Sequence, residues 1–356
     1  GMARSGLAAA TALARQGPVP VINDSRSASA LQLDLRDLHP YPYVDALGQD
    51  PLSFLDRVDM AVVSPGVPPT VPLFAAAKKA GVPVIAEIEL GYLLSSAPIV
   101  AIGGTNGKTT TTALTGEIFQ ADGRDTYVLG NIGDPLSGSA AEVPEDGVIV
   151  AEIASLQLEF TDSFRPKSAV LLNVTEDHLD RFGSMERYVE VKAKMFANQN
   201  KTDYAVLNLD NPITAGLASQ LPGRVLFFSR DHEVEDGAYL DEGKIVFRMD
   251  GLRQVICPAE ELRIPGAHNF DNALAAVAVS MPLGVKPSAA AHALRSFAGV
   301  EHRIERVCER AGVLYINDSK ATNPDSSIKA VEAMDRPTVL LLGGSNKNSD
   351  YTPLFR

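Results

Sequence analysis

Cysteine is nearly absent from this sequence: 356 residues carry only Cys257 and Cys308. Two thiols so far apart build no CxxC pair, no thiolate metal site and no disulfide framework, and they suit a reducing cytoplasm, the expected location. Long apolar runs are missing as well. No stretch reaches the ~18 residues a helix needs to cross a bilayer, so no membrane association is expected. Positive charge is in deficit, with 32 Lys and Arg against 44 Asp and Glu and a formal net charge of −12. A nucleic-acid partner is therefore not expected. Repeats and low-complexity tracts are lacking too. What is present is an ordinary hydrophobic share of 45% spread over a length too great for one core, which predicts two or three domains.

Residues 98–114 read PIVAIGGTNGKTTTTAL. Ile99 to Ile102 is a short apolar run suited to a buried parallel strand. A glycine-rich loop follows, and a helical pattern begins at Lys108. Gly104, Thr105, Asn106, Gly107, Lys108, Thr109 and Thr110 together make a phosphate cradle. Backbone N–H groups and the helix N-terminus wrap an anion, Lys108 neutralises a phosphate, and the Thr109 hydroxyl can reach Mg²⁺. The spacing departs from GxxxxGK[ST], because Ile102 stands where the first glycine would be. An ordinary glycine turn is the plainer reading, but it leaves a lysine followed by four threonines with no packing role.

Three further stretches carry chemistry. The apolar run Val148 to Ala151 ends in Glu152, and an acidic residue where a buried strand meets such a loop can bind the nucleotide's Mg²⁺ or its water. A solvent-facing strand-end carboxylate is the alternative. The stretch NVTEDHLDR places His178 in a polar cluster, as a metal ligand or as a structural residue. In the helix that follows, Tyr188, Val191, Lys192 and Met195 fall at i, i+3, i+4 and i+7, which puts Lys192 on the apolar stripe, while Lys194 points the other way. Desolvation lowers the pKa of such an ammonium, and a neutral amine can react or be modified; a snorkelling stem is the alternative. Further on, His268, Asn269 and Asn272 open an alanine-rich helix. Asn269 and Asn272 share a face, and capping explains one asparagine but not both.

The chain alternates strands and helices, so the fold class is α/β with parallel or mixed sheets in a three-domain arrangement. Residues 1–86 read as a Rossmann-like domain. Gly1, Ala3 and Gly6 occupy glycine positions of a GxGxxG turn, with alanine at the middle one, and the first strand of that unit is expected to precede Gly1. VDMAVVSPGVPP reads as a strand and a loop with Ser64, and VPVIAEIEL as another strand, with about Glu87 to Ser96 a link. Residues 87–298 read as the central P-loop domain, in which 200–264 are strands and turns without obvious chemistry. Residues 299–356 read as the start of a Rossmann-like C-terminal domain, with strands at GVLYIN and TVLLLGG, and it is expected to continue past Arg356.

GTNGKTT, AEIASLQLE, NVTEDHLDR, the Lys192 helix, GAHNFDNALAA, EHRIE and NDSKATNP occur in the order seen in the Mur ligase family, and the resemblance covers essentially the whole chain. NVTEDHLDR with NDSKATNP resembles the branch that adds D-glutamate. The resemblance implies an ATP-dependent ligase of peptidoglycan precursor synthesis that joins D-glutamate to UDP-N-acetylmuramoyl-L-alanine through an acyl phosphate, acting as a monomer. Another member of the family, or a ligase like folylpolyglutamate synthetase, is the alternative. It further implies that Lys108 and Thr109 hold the triphosphate and Mg²⁺, and that Thr109, Glu152, His178 and a carbamylated Lys192 serve two Mg²⁺ sites. Asn131, Gln157 and His178 would face the muramoyl end. Asn269, Asn272 and Arg303 would serve adenine, ribose or phosphates; Asp318 and Lys320 would bind nucleotide and substrate. Thr322 and Lys347 would face the D-glutamate carboxylates, and Ser5, Asp24, Arg26 and Ser64 the UDP end. Ala154 stands where the family usually has serine, which removes one polar contact. Ser345 and Asn346 replace acidic and glycine residues beside Lys347.

Overall fold

The computed structural model describes residues 1–264, 266–344 and 350–355. Near the N-terminus, two small parallel sheets form from β1 (Val21–Ile22) with β2 (Val44–Asp45), and from β3 (Ala61–Val63) with β4 (Val84–Ala86). The helix Arg4–Arg15 packs alanines inward beside them, and the turn Ser64–Val67 leaves the end of β3. The expected strand VPVIAEIEL is half strand and half helix. After β4 the chain turns directly into the helix Glu87–Leu94, which replaces the expected link. Alternation fails there because both glutamates are buried and accept from distant groups, although Glu87 Oε2 keeps no partner among the described residues. Glu87 accepts from Ser137 N and Oγ, and Glu89 from Asp162 N, Ser163 N and Phe164 N.

A nine-stranded sheet forms the centre. It contains β5 (Ile99–Gly103), β6 (Thr126–Gly130), β7 (Val148–Glu152), β8 (Ser168–Leu171), β9 (Tyr204–Asn208), β10 (Arg224–Ser229), β11 (Gly237–Asp241), β12 (Lys244–Met249) and β13 (Leu252–Pro258). Their order is β13-β12-β11-β10-β9-β8-β5-β7-β6, parallel from β6 through β11 and antiparallel over β12 and β13. Every residue of β5, β7 and β8 is buried, as near-continuous apolar runs in a sheet covered on both faces should be. Val100, Ile102, Val148 and Val150 face one core, shared with the helices Lys108–Ala121 and His268–Ser280; Ile99, Ala101, Ile149 and Ala151 face the other, shared with Met185–Ala193.

β5 lies between β7 and β8. The chain leaves it for the edge, returns to β7, then crosses to β8 on the other side. That reversal opens a crevice at the carboxyl end of β5, where open α/β sheets bind ligands. The stretch 200–264 supplies β9 to β13, so it extends this same sheet.

The last segment is an antiparallel hairpin, β14 (Glu305–Arg310) with β15 (Val313–Asn317), then the helix Pro324–Glu332. The expected strand at TVLLLGG is not formed: no described strand pairs with it, and Val339 and Leu341 are 89% and 90% exposed. An apolar run gains strand structure only where a neighbour supplies hydrogen bonds and a face to cover it.

Candidate functional site

The loop after β5 sits in the crevice. Gly107 takes φ +84°, and the helix Lys108–Ala121 starts immediately after it. The Lys108 ammonium folds back over the loop and donates to Gly104 O at 3.1 Å and Thr105 O at 2.8 Å. On the other side the Lys192 ammonium, in a side chain only 3% exposed, donates to the same Gly104 oxygen at 2.9 Å. It also lies 4.4 Å from the centre of the Tyr188 ring. Burial lowers the pKa of Lys108, opposed by the charge of Glu152. Burial also lowers that of Lys192, well below its ordinary value, helped by the Lys108 charge and opposed by Asp177. Tyr188, buried beneath, is pushed up to about 12. Two cations sharing one carbonyl repel each other, and an anion between them would relieve both.

Register places Glu152 beside this loop, because Ile102 pairs with Glu152 and Gly130 pairs with it from the far side. The carboxylate is 2% exposed. Thr109 Oγ1 donates to its Oε2 at 2.9 Å and Asn131 Nδ2 to its Oε1 at 2.7 Å. Gln157 turns to its own chain, its Oε1 accepting from Ala154 N at 2.8 Å. His178 has φ +54° and precedes a short helix, and its ring nitrogen lies 3.9 Å from the Asp177 carboxylate. Among the described residues no hydrogen bond links His178 to Glu152 or Lys192.

A cleft of about 480 Å³ opens beyond Gly107 and gathers Asn106, Asn269, Asn272, Arg303 and Asp318 from distant parts of the chain. Asn272 Nδ2 donates to Asn269 Oδ1 at 2.8 Å, and Asn272 Oδ1 accepts from Thr111 Oγ1 at 3.2 Å, so the shared face is used. Fully buried alanines let this helix approach Lys108–Ala121 closely, and a Cβ on Gly107 would come within 2.4 Å of Asn272 Oδ1. Burial lowers Arg303 and raises Asp318, each offset by the other's charge. His268, which also lines the cleft, is held down to about 4 by burial and by the charges of Lys329, Arg303 and Arg230.

Sequence reasoning did not find the partners of Asn106. Its Nδ2 donates to Asp325 Oδ2 at 2.6 Å, and its Oδ1 accepts from Asn323 Nδ2 at 3.1 Å. Asn323 before Pro324 announces a helix start, but no local signal says that this start lands on the phosphate loop. Lys320 is half-buried and donates its backbone N–H to His302 O, while Thr322 is exposed. Lys347 lies outside the described residues.

At the N-terminal end, Asp24 is buried and accepts from Met2 N at 2.9 Å and from Arg26 N and Nε. Burial alone would raise its carboxyl, but the Arg26 side chain and these backbone donors hold it well below the usual range. Ser64 Oγ donates to Gly1 O at 2.9 Å, and Ser5 is half-buried in the first helix.

The residues fit a nucleotide with a hard cation. A lysine and a helix N-terminus suit phosphates, and a hydroxyl beside a carboxylate suits the oxygen preference of Mg²⁺. An ammonium is no metal ligand, so Lys192 fits a cation site only after its amine has become an anionic group.

A glycine loop ending in Lys-Thr at the switch point of a parallel sheet defines a P-loop nucleotide-binding protein. Residues 102–280 match the Mur ligase middle domain and residues 1–86 the N-terminal domain described as Mur ligase, MurD-like. The chain belongs to the Mur ligase family. It is 48% identical over its whole length to the UDP-N-acetylmuramoylalanine–D-glutamate ligase of Pelotomaculum thermopropionicum, covering 78% of that protein. It is 42% identical to the protein of the same name from Clostridioides difficile, over all of this chain and 79% of the relative. In fold it resembles MurF from Acinetobacter baumannii, with TM-score 0.58 and 17% identity over 88% of this chain and 70% of that one. It also resembles a pseudomurein peptide ligase type C from Methanothermus fervidus, with TM-score 0.56 and 20% identity over 95% and 76%.

Proposed function

We propose that the protein is an ATP-dependent ligase that adds D-glutamate to UDP-N-acetylmuramoyl-L-alanine in peptidoglycan precursor synthesis. The observation that carries the ligase chemistry is the meeting of Lys108 and Lys192 on Gly104 beside the Thr109–Glu152 pair. The choice of amino acid rests on the relatives' names, at 42–48% identity over nearly the whole chain.

In this reading the loop amides of Gly104 to Thr110 and the Lys108 ammonium hold the triphosphate, with Asn269, Asn272, Arg303 and Asp318 around the nucleoside end. The precursor's carboxylate oxygen attacks the γ-phosphorus and ADP leaves, giving an acyl phosphate. The D-glutamate amine then attacks the acyl carbon, phosphate departs with the bonding pair, and the amine loses a proton as the amide forms. Mg²⁺, when bound, neutralises charge on the phosphates. Thr109 and Glu152 would hold it, with His178 and Lys192 at a second position. Burial disfavours the Lys192 ammonium, and its neutral amine would take up CO₂ as a carbamate, releasing a proton. Asn131 orients Glu152, and Gln157 stands near the muramoyl end. Ser5, Asp24, Arg26 and Ser64 would take the UDP end, Lys320 with Asp318 would serve nucleotide and substrate, and Thr322 and Lys347 would face the D-glutamate carboxylates. The domains would divide at 1–86, 87–298 and 299–356. Both substrates are small molecules, and we place the protein in the cytoplasm as a monomer. Among the described residues no helix is long and apolar enough to cross a membrane.

The test is phosphate release from ATP, measured with UDP-N-acetylmuramoyl-L-alanine and, in turn, D-glutamate, L-glutamate, L-alanine and a diamino acid. Release that needs both the precursor and D-glutamate is expected. Release without an amino acid, or a preference for another one, would overturn the reading.

A further inference from the structure

Arginines tie the turns and helix near the N-terminus to the central sheet's connections: Arg15 donates to Glu142 at 2.6 Å through side chains 41% and 65% exposed. Arg4 donates to Gly133 O and lies 3.6 Å from Asp134, but both side chains are about three-quarters exposed, so solvent screens the pair. Arg181 is different. Its side chain is 15% exposed and its partner Glu159 11%. Nη2 donates to Glu159 Oε2 at 2.5 Å and to Val67 O at 2.9 Å, while Nε reaches the same carboxylate oxygen at 3.2 Å.

Both ends of this tie are placed by further contacts. Val67 N donates to Ser64 O, closing the turn that carries Ser64. Arg181 N donates to His178 O, so the arginine belongs to the turn that carries His178. Glu159 is held from below by Lys194 Nζ, which donates to its carbonyl at 2.7 Å. The next residue, Phe160, stacks on Phe74 at 4.5 Å between centroids and accepts from Ala86 N at 2.8 Å. One guanidinium thus joins the Ser64 turn, the His178 turn and the segment braced by the Lys192 helix. A part-buried charge-assisted fork of this kind fixes distance as well as direction.

We propose that Arg181 is a positioning residue that sets the separation between the Ser64 turn and the His178 turn, and so determines how well a ligand spanning both is held. The identity of that ligand rests on the proposed function: the UDP end lies at the Ser64 side and the reacting carboxylate at the His178 side. The span matters because a displacement near 1 Å at a reacting centre can cost about a hundredfold.

The test uses the full-length protein with Arg181→Met, Arg181→Lys and Arg4→Ala. Calorimetry measures three ligands: UDP alone for one bank, ADP alone for the other, and UDP-N-acetylmuramoyl-L-alanine across both. Arg181→Met should weaken the spanning ligand by about tenfold or more and leave UDP and ADP within about twofold, the pattern of lost alignment. Arg181→Lys keeps a cation for Glu159 but loses the fork, so its loss should be intermediate, and Arg4→Ala should change little. Equal weakening of UDP and the precursor, or no change in either, would overturn the proposal. Amide exchange over residues 64–71 reads the tie with no ligand present. It should quicken in Arg181→Met while residues 99–121 hold their rate, and unchanged exchange at 64–71 would also overturn the proposal. If wild-type protein bound no precursor, the proposed function would fall, and exchange would still decide whether the tie exists.

Discussion

Thr109 Oγ1 and Asn131 Nδ2 approach the two oxygens of the Glu152 carboxylate from opposite sides, at 2.9 and 2.7 Å. The strand end is therefore not a solvent-facing carboxylate. Its acceptors are aimed by a phosphate-loop hydroxyl and by a loop after the neighbouring strand. Glu152→Gln preserves the shape, lets one oxygen still accept, and removes the charge. The melting temperature should stay close to that of the wild type, while ligation falls by about a hundredfold or more, the scale of losing one electrostatic contact in a transition state. Thermal melts beside phosphate-release rates check this. A large fall in melting temperature with activity intact would make Glu152 structural.

Lys192 carries the second prediction. Burial first, and then the Lys108 charge, push its ammonium pKa well down. The neutral amine that CO₂ needs is therefore more abundant near neutral pH than on an exposed lysine. Lys192→Ala should abolish ligation, and short carboxylates such as formate or acetate should restore part of it by standing in for the carbamate. Stripping bicarbonate from the wild type should lower its rate reversibly. Full activity in the alanine variant would remove Lys192 from the mechanism.

These two residues also mark how far the sequence could be read. The inward face of Lys192 is legible because helical spacing is local, and β5 and the phosphate loop are legible because a buried parallel strand and its turn are written in consecutive residues. What lies beyond local pattern is partnership. Asn131 gives no sign that it will meet Glu152, nor Asn106 that Asn323 and Asp325 will meet it, because those contacts depend on strand order and on where a later helix starts. The helix Glu87–Leu94 fails for the same reason. Its glutamates look like outward positions of a strand until Ser137 donates to one oxygen of Glu87 and the 162–164 loop donates to Glu89. TVLLLGG shows the converse, an apolar run with strand pattern and no described neighbour to pair with.

Asp271 supplies a pH test. Burial pushes its carboxyl up to about 6, with Arg230 opposing and Asp210 adding to the rise. Lys329 also opposes, and Asp231 adds. The folded protein thus holds this proton more tightly than the unfolded chain, whose aspartates titrate near ~3.9. Between those values stability falls as pH rises, and above about 6 the full penalty remains. Asp271→Asn should therefore flatten the melting temperature between pH 4 and 6 and raise it at pH 8. A lower melting temperature at pH 8 would show that the Arg230 pairing, at 3.8 Å, outweighs the burial.

Gly107 and Gly123 flank the helix Lys108–Ala121, and both have φ +84°. An L-residue in that left-handed region costs roughly 1–2 kcal/mol wherever it stands, so alanine should destabilise the two positions alike through the backbone alone. Their surroundings differ. Nothing lies within 4 Å of a Cβ on Gly123, whereas one on Gly107 would meet Asn272 Oδ1 at 2.4 Å. That oxygen accepts from Thr111 Oγ1, and the same amide donates to Asn269, so moving it disturbs the contacts that tie the helix after the phosphate loop to the Asn269–Asn272 pair. Gly107→Ala should lose ADP affinity by about tenfold or more, the equivalent of roughly 1.4 kcal/mol, while UDP affinity at the N-terminal end holds. Gly123→Ala should show a similar drop in melting temperature with ADP binding unchanged. Calorimetry with ADP and UDP on both variants separates strain from contact. If the two variants lose ADP affinity equally, the Asn272 contact contributes nothing and only helix strain matters; if neither does, the Asn269–Asn272 pair lies outside the nucleotide site.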